Sequence, residues 1–232
     1  MTASVVIATY DERENLPDLV AQIVQNPGYR VIVVDDNSPD GTGAIADSLA
    51  AQFPGRVSVI HRSGPRGLGR SLVEGLRRAL ADDAEIVFQM DADFSHDPKY
   101  LPSIAAATAD ADLVLGSRYL RGISVVNWPL HRIVLSTVAN RYIRAVTGVD
   151  VNDCTTGYRC WRRDALARIP LDGVISDGYS FLVETLYLAR RAGCRIREVP
   201  IIFVERRLGT SKVSWRVLLE SIIVPWRLRI KA

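Results

Sequence analysis

Asp91-Ala92-Asp93 closes an apolar run, EIVFQMD, so two carboxylates stand at the end of a buried strand. That pattern suits a hard divalent cation, magnesium or manganese, which takes oxygen ligands and keeps positions open for substrate phosphates. An Asp-x-Asp alone is equally at home in a solvated turn, because aspartates cap turns freely. A second pair, Asp35-Asp36, ends the run VIVVDD. Two such pairs on one rim repel each other unless a cation or hydrogen-bond donors lie between them.

The elements that must place these pairs are legible as periodicity. VVIA (5–8), VIVVDD (31–36), VSVIH (57–61), EIVFQMD (85–91) and DLVLGS (112–117) read as strands. Between the first four lie ENLPDLVAQIVQ, TGAIADSLAAQF and GRSLVEGLRRALA, with apolar residues at helical spacing. Alternation of this kind predicts an α/β fold with a mostly parallel sheet covered on both faces. Ligands of such sheets gather at the carboxyl ends of the strands. The polar segments TYDERE, DDNSPDGT, GPRGLG and DADFSHDP fall there. Further on, 129–147 reads as one long helix, NDCTTGYRCW as a polar stretch, FLVETLYLARRA as a helix and CRIREVPIIFVE as a strand. An amphipathic tail begins at Val213.

Composition narrows the function. The 232 residues carry 29 Lys+Arg against 26 Asp+Glu, a net charge of +3, too little for a dedicated nucleic-acid binder. No nucleic-acid partner is expected. Only Lys99, Lys212 and Lys231 are lysines, so the cations are mostly arginines, whose planar fork suits phosphate. Cys154, Cys160 and Cys194 form no Cys-x-x-Cys pair, which fits a reducing cytoplasm. The segment after the first strand lacks the G-x-G-x-x-G of a dinucleotide fold, and Gly67-Leu68-Gly69 reads as a tight turn into a helix, with Arg66 beside it.

VVIATYDERENL, VVDDNSPDGT, GLG, MDADFSHDP, GSRY, DCTTGYR and VERRLGTSK, in this order and spacing, resemble the polyprenyl-phosphate mannose synthases. These are inverting glycosyltransferases of the GT-A fold that include dolichol-phosphate mannosyltransferase. The resemblance implies one domain over 1–232: a nucleotide-sugar half (1–117), an acceptor half (118–212) and the amphipathic tail (213–232). It places GDP-mannose against Ala8, Tyr10, Glu12, Asp35, Asp36, Asp91, Ala92 and Asp93, and against Arg206 and Lys212 in a basic loop. Asp91, Asp93 and Ser95 would hold Mg2+ or Mn2+. Two positions depart from the family pattern: Ser95 replaces a frequent glutamine, and Ala8 a frequent proline.

The same resemblance assigns a polyprenyl monophosphate acceptor to Arg118, Arg132 and Ser136, and the catalytic set to Asp91, Asp93, Arg118 and Arg132. Glu184, on an apolar helical face, is expected to be structural and to hold an arginine. Trp215, Leu218, Leu219, Ile222 and Trp226 recur at helix spacing, which suits a helix lying on anionic lipid. A cytoplasmic enzyme, peripheral on the inner face of the plasma membrane, is the expected location. A membrane-spanning protein partner is an option the sequence leaves open. The rival readings are a prenyl-phosphate glucosyltransferase using UDP-glucose, a polysaccharide-elongating transferase and a non-catalytic nucleotide-sugar binding module.

Overall fold

Runs of valine and isoleucine bury both faces of a sheet, and here they form its centre. The computed structural model describes residues 1–174, 176, 178–205 and 215–230, with side chains at all of these except 179, 215–219 and 221. Strands β1 (Ala3–Thr9), β2 (Tyr29–Asp35), β3 (Val57–His61) and β4 (Ile86–Met90) alternate with helices α1 (Leu16–Val24), α2 (Thr42–Gln52) and α3 (Leu68–Ala81). All residues of β4 are buried, as are nearly all of β1 and β2. Helix α4 (Leu101–Ala106) then leads to β5 (Leu113–Ser117), the short β6 (Val125–Val126) and the long α5 (Leu130–Thr147). Strand β7 (Arg159–Arg162), α6 (Arg163–Leu166), α7 (Gly178–Arg191), β8 (Ile196–Pro200), β9 (Phe203–Val204) and α8 (Trp215–Ile230) complete the chain.

The sheet order is β3-β2-β1-β4-β7-β5-β8, parallel except for β7, which runs antiparallel to both neighbours. This is the mixed, mostly parallel sheet flanked by helices, with a helix at its C-terminal end, that the sequence leads one to expect. Two core layers lie on its faces. One packs Leu16, Leu19 and Ile23 of α1 and Leu101 and Ile104 of α4 under the strands. The other packs Leu72 and Leu76 of α3, Ile143 of α5 and Phe181 and Leu186 of α7.

Two expectations are corrected. NDCTTGYRCW is not merely a polar stretch, because its last residues form β7 in the middle of the sheet. Their charged ends, Arg159 and Arg162, hide from the sequence a strand whose Cys160 and Trp161 are fully buried. CRIREVPIIFVE is likewise not one strand. The ladder of β8 stops at Pro200, and Phe203–Val204 pairs instead with β6 in a separate two-stranded sheet.

Helix α3 lies so close to the sheet that Gly75 has no room for a side chain. A Cβ there would stand 2.3 Å from Val6 Cγ1 and 2.9 Å from Val34 Cγ2. We expect Gly75→Ala to destabilise the protein by about 1–3 kcal/mol through overpacking, measured as a lower urea midpoint with an unchanged slope.

Candidate active site

The carboxyl ends of β1, β2 and β4 form one rim, and three of its loops contain a non-glycine residue in the left-handed region: Asp11 (φ 57°), Asn37 (φ 58°) and Phe94 (φ 61°). Each costs on the order of 1 kcal/mol and persists only where its surroundings hold it. Cross-links between the β1 and β2 loops hold the first two. Asp11 N–H donates to Ser38 Oγ (3.2 Å), Glu12 N–H to Thr42 Oγ1 (3.0 Å) and Asp36 N–H to Thr9 O (2.9 Å).

Each buried carboxylate on this rim has its own donors. Asp35 accepts from Ser38 Oγ at 2.6 Å, and Asp36 pairs with Arg62 while accepting from Gly67 N–H at 2.8 Å. Arg62, immediately after β3, is buried and also reaches Glu74 at 2.8 Å. The GLG turn therefore does more than start a helix, since its first glycine fixes Asp36. Beside it, the Arg66 guanidinium lies 4.5 Å from the centre of the Tyr10 ring. Glu12 Oε2 accepts from Asn15 Nδ2 at 2.9 Å. Ala8 is half-buried at the same strand end.

Asp91 and Asp93 differ in exposure. The Asp91 side chain is 44% exposed, whereas Asp93 and Ala92 are buried. Ser95 donates both its N–H (3.1 Å) and its hydroxyl (2.6 Å) to Asp93 Oδ1, so here it orients that carboxylate. His96 accepts the Asp91 N–H at Nδ1 (2.9 Å) and lies 3.6 Å from Asp91 Oδ2. Below them Gly157 leaves space: a side chain there would come within 3.2 Å of Asp91 Oδ1 and His96 Cε1.

The acceptor residues of the sequence reading, Arg118, Arg132 and Ser136, are drawn together by aromatic rings. Trp128 has the Arg132 guanidinium 4.0 Å and the Arg118 guanidinium 5.5 Å from its ring centre. Tyr119 donates its hydroxyl to Ser136 Oγ at 2.7 Å, and Phe203 lies 5.4 Å from Arg118. The Trp128 indole N–H is buried without a partner among the described residues.

Arg118 is held by Asp153, which is fully buried. Its Nε and Nη2 donate to the two Asp153 oxygens at 2.7 and 2.6 Å, and its backbone N–H adds a bond of 3.0 Å. Burial alone would raise the Asp153 carboxyl. The attraction and hydrogen bonds of Arg118, with the Thr155 N–H, overcome it and hold the group below the ordinary carboxylate range. The loop carrying Asp153 is itself fixed by Glu198, by Asn140 and by the buried Arg159, which donates to the carbonyls of Cys154 and Thr156. Burial pulls Arg159 down to about 10, leaving it charged near neutrality.

The comparisons with known proteins agree with this geometry. A model described as glycosyl transferase family 2 matches residues 4–169. The chain belongs to glycosyltransferase family 2. It is 44% identical over 229 residues, 97% of this chain and 86% of the relative, to the polyprenol monophosphomannose synthase of Mycolicibacterium smegmatis. The undecaprenyl-phosphate mannosyltransferase of Micrococcus luteus is 43% identical, with 96% of this chain and 92% of the relative covered. Among solved structures, glucosyl-3-phosphoglycerate synthase of Mycobacterium tuberculosis, in complex with Mn2+, UDP and glucosyl-3-phosphoglycerate, superposes with a TM-score of 0.70. That match has 19% identity and covers 98% of this chain and 79% of the other, a likeness of fold.

For this family 2 glycosyltransferase the structure adds residues that sequence reading missed: Arg62, His96, Trp128 as a platform, Asp153, Arg159 and Glu205, which pairs with Arg132. DCTTGYR carried the signal for two of them, since an aspartate and an arginine in a glycine-bearing polar motif mark a fixed loop. Glu184 holds no arginine among the described residues; its Oε2 accepts from Ser176 N–H at 3.0 Å. Arg206 and Lys212 lie outside the described residues.

Asp153→Asn strands the Arg118 charge, and we expect a loss of about 3–5 kcal/mol in urea unfolding. In the parent chain, stability from this pair is complete above the ordinary carboxylate range and is lost as pH falls through the lowered Asp153 value. The variant should show a correspondingly weaker acid dependence.

Proposed function

We propose that this chain transfers mannose from GDP-mannose to a polyprenyl monophosphate, with inversion, using Mg2+ or Mn2+, and that it works as one domain resting on the membrane surface. The observation that carries the reading is the meeting of a carboxylate rim with an arginine–aromatic cluster in a chain 44% identical to a polyprenol monophosphomannose synthase.

The donor's nucleoside belongs with Ala8, Tyr10, Glu12, Asp35 and Asp36, whose carboxylates accept from base and ribose. Asp91 and Asp93 would hold the divalent cation. The donor set fits, since the Asp91 carboxylate is 44% exposed beside the buried Asp93, and magnesium-type sites commonly combine one or two carboxylates with substrate phosphates. When bound, the ion neutralises charge building on the departing diphosphate. Ser95 and His96 position the motif, and Arg206 and Lys212 are assigned to the diphosphate by resemblance.

On the other side Arg118, Arg132 and Ser136 receive the acceptor phosphate. A phosphomonoester is already mostly ionised, with a second pKa of about 6, so no strong general base is required. The unpartnered Trp128 N–H suits an incoming phosphate oxygen, because a buried donor left unsatisfied costs about 1–3 kcal/mol. The phosphate oxygen attacks the anomeric carbon opposite the leaving GDP, converting an α-linked donor to a β-linked product without a covalent enzyme intermediate.

Among the described residues no helix is long and apolar enough to cross a membrane. Support for a membrane surface comes from α5 and α8 together. Leu130, Val134 and Val138, one stripe of α5, are 75%, 53% and 57% exposed, and Ile222, Ile223, Trp226 and Ile230 are exposed on α8. Tyr142 ties the two helices by donating to Ile222 O at 2.6 Å. The expected lipid face of the tail is thus joined by a second helix; the side chains of Trp215, Leu218 and Leu219 lie outside the described ones. A cytoplasmic location is part of the proposal.

Two experiments test it. A donor panel with a short polyprenyl phosphate, with and without Mg2+ or Mn2+, should favour GDP-mannose over UDP-glucose, and Asp93→Ala should lower transfer by about a thousandfold with an unchanged melting temperature. Binding of the donor with neither lipid product nor hydrolysis would favour the binding-module reading. Separately, Leu130→Asp with Val134→Asp should reduce flotation with anionic liposomes while sparing donor binding.

A further inference from the structure

We propose that Arg66 reads the base of the donor: its guanidinium, held over the Tyr10 ring, donates to the adjacent O6 and N7 acceptors of guanine, a pair that uracil lacks. The proposal rests on the GDP-mannose reading given above and assigns the choice of base to one side chain.

Arg66 lies in the turn between β3 and α3, at the rim where β1 and β2 end. Its backbone is pinned from both sides. Pro65 O accepts from Arg62 Nη2 (3.3 Å) and Arg70 Nη1 (3.4 Å), and Gly67 N–H donates to the buried Asp36 at 2.8 Å. The side chain is exposed, with its guanidinium 4.5 Å from the centre of the Tyr10 ring, and Tyr10 directly follows β1. Among the described residues that guanidinium has neither a hydrogen-bond acceptor nor an ion-pair partner. Arg62, just upstream, is the contrast, since Asp36, Glu74 and Pro65 O take its donors. A contact with an aromatic face orients a guanidinium without committing its N–H groups to an acceptor.

Those donors complete a set that is otherwise one-sided. Glu12, Asp35 and Asp36, assigned above to the nucleoside, carry carboxylates, which answer the N–H and hydroxyl groups of base and ribose but not the acceptors of the base. A guanidinium beside them answers the acceptors. Guanine presents O6 and N7 next to each other, the arrangement that an arginine fork meets with two parallel bonds. Uracil has an N–H between its carbonyls, so the fork reaches one carbonyl at a time. The difference is one charge-assisted hydrogen bond, made by guanine and not by uracil.

The test is equilibrium binding of GDP, 7-deaza-GDP and UDP, with Mg2+ present, to the full chain and to Arg66→Met, a variant that keeps the reach of the side chain but has no donor. The 7-deaza analogue keeps O6 and the diphosphate and replaces N7 by carbon. Wild type should bind GDP about fivefold more tightly than 7-deaza-GDP, and about tenfold more tightly than UDP. In Arg66→Met the 7-deaza penalty should shrink to within about twofold and the preference for GDP over UDP should fall about fivefold, at an unchanged melting temperature. A wild type that prefers GDP but shows no 7-deaza penalty overturns the proposal, as does a penalty of the same size in both proteins. So does an equal weakening of all these nucleotides in Arg66→Met, which would make Arg66 a contact to the diphosphate they share. Wild type that binds UDP as tightly as GDP overturns the GDP-mannose reading itself, and this proposal with it.

Discussion

Carboxylates crowded at one end of a parallel sheet repel one another, and the rest of this rim is arranged around that repulsion. Two unit charges about 5 Å apart repel by roughly 3 kcal/mol at an effective dielectric near 20. Asp35, Asp36 and Asp93 are nevertheless buried at the ends of β2 and β4, the two strands that flank β1. Each is matched to donors of its own: Ser38 for Asp35, Arg62 and Gly67 for Asp36, Ser95 for Asp93. Asp91 is the most exposed of the four.

The opposite charge gathers around Trp128, where Arg118 and Arg132 share one ring. Arg118 is stabilised by a buried carboxylate and by three aromatic rings at 5.4–5.5 Å. Burying an ion pair is favourable only when the remaining hydrogen bonds are satisfied. That explains why the loop around Asp153 is tied to β8, α5 and β5 through Glu198, Asn140 and the Thr156 bond to Gly116 O. Strand β7, inserted antiparallel between β4 and β5, delivers this loop beside Asp91 through Gly157.

The exposed apolar stripe that is proposed to face lipid follows from the same economy of packing. The second half of α5 buries Asn140, Ile143, Val146 and Thr147, while its first half presents Leu130, Val134, Leu135 and Val138 to the outside. The arginine–aromatic cluster sits beside that exposed half, since Arg132 and Ser136 lie on the same turns. Under the proposed function, an acceptor whose phosphate lies at a membrane surface reaches these cations without leaving its lipid phase.

Sequence periodicity alone determined the alternating strands and helices of the first half, and with them the strand ends where Asp35, Asp36, Asp91 and Asp93 had to fall. It could do so because strand runs buried on both faces are continuous and apolar, and because polar loops at their carboxyl ends stand out against them. The GSRY motif also marked Arg118, and the family resemblance pointed to Arg132 and Ser136. What only the tertiary structure decided is who neutralises whom. Arg62 with Asp36, Asp153 with Arg118 and Glu205 with Arg132 join residues 26, 35 and 73 positions apart. No local pattern encodes such pairs, because they depend on which loops the sheet order brings together. The same holds for β7, whose charged ends mask a buried strand until its neighbours are known.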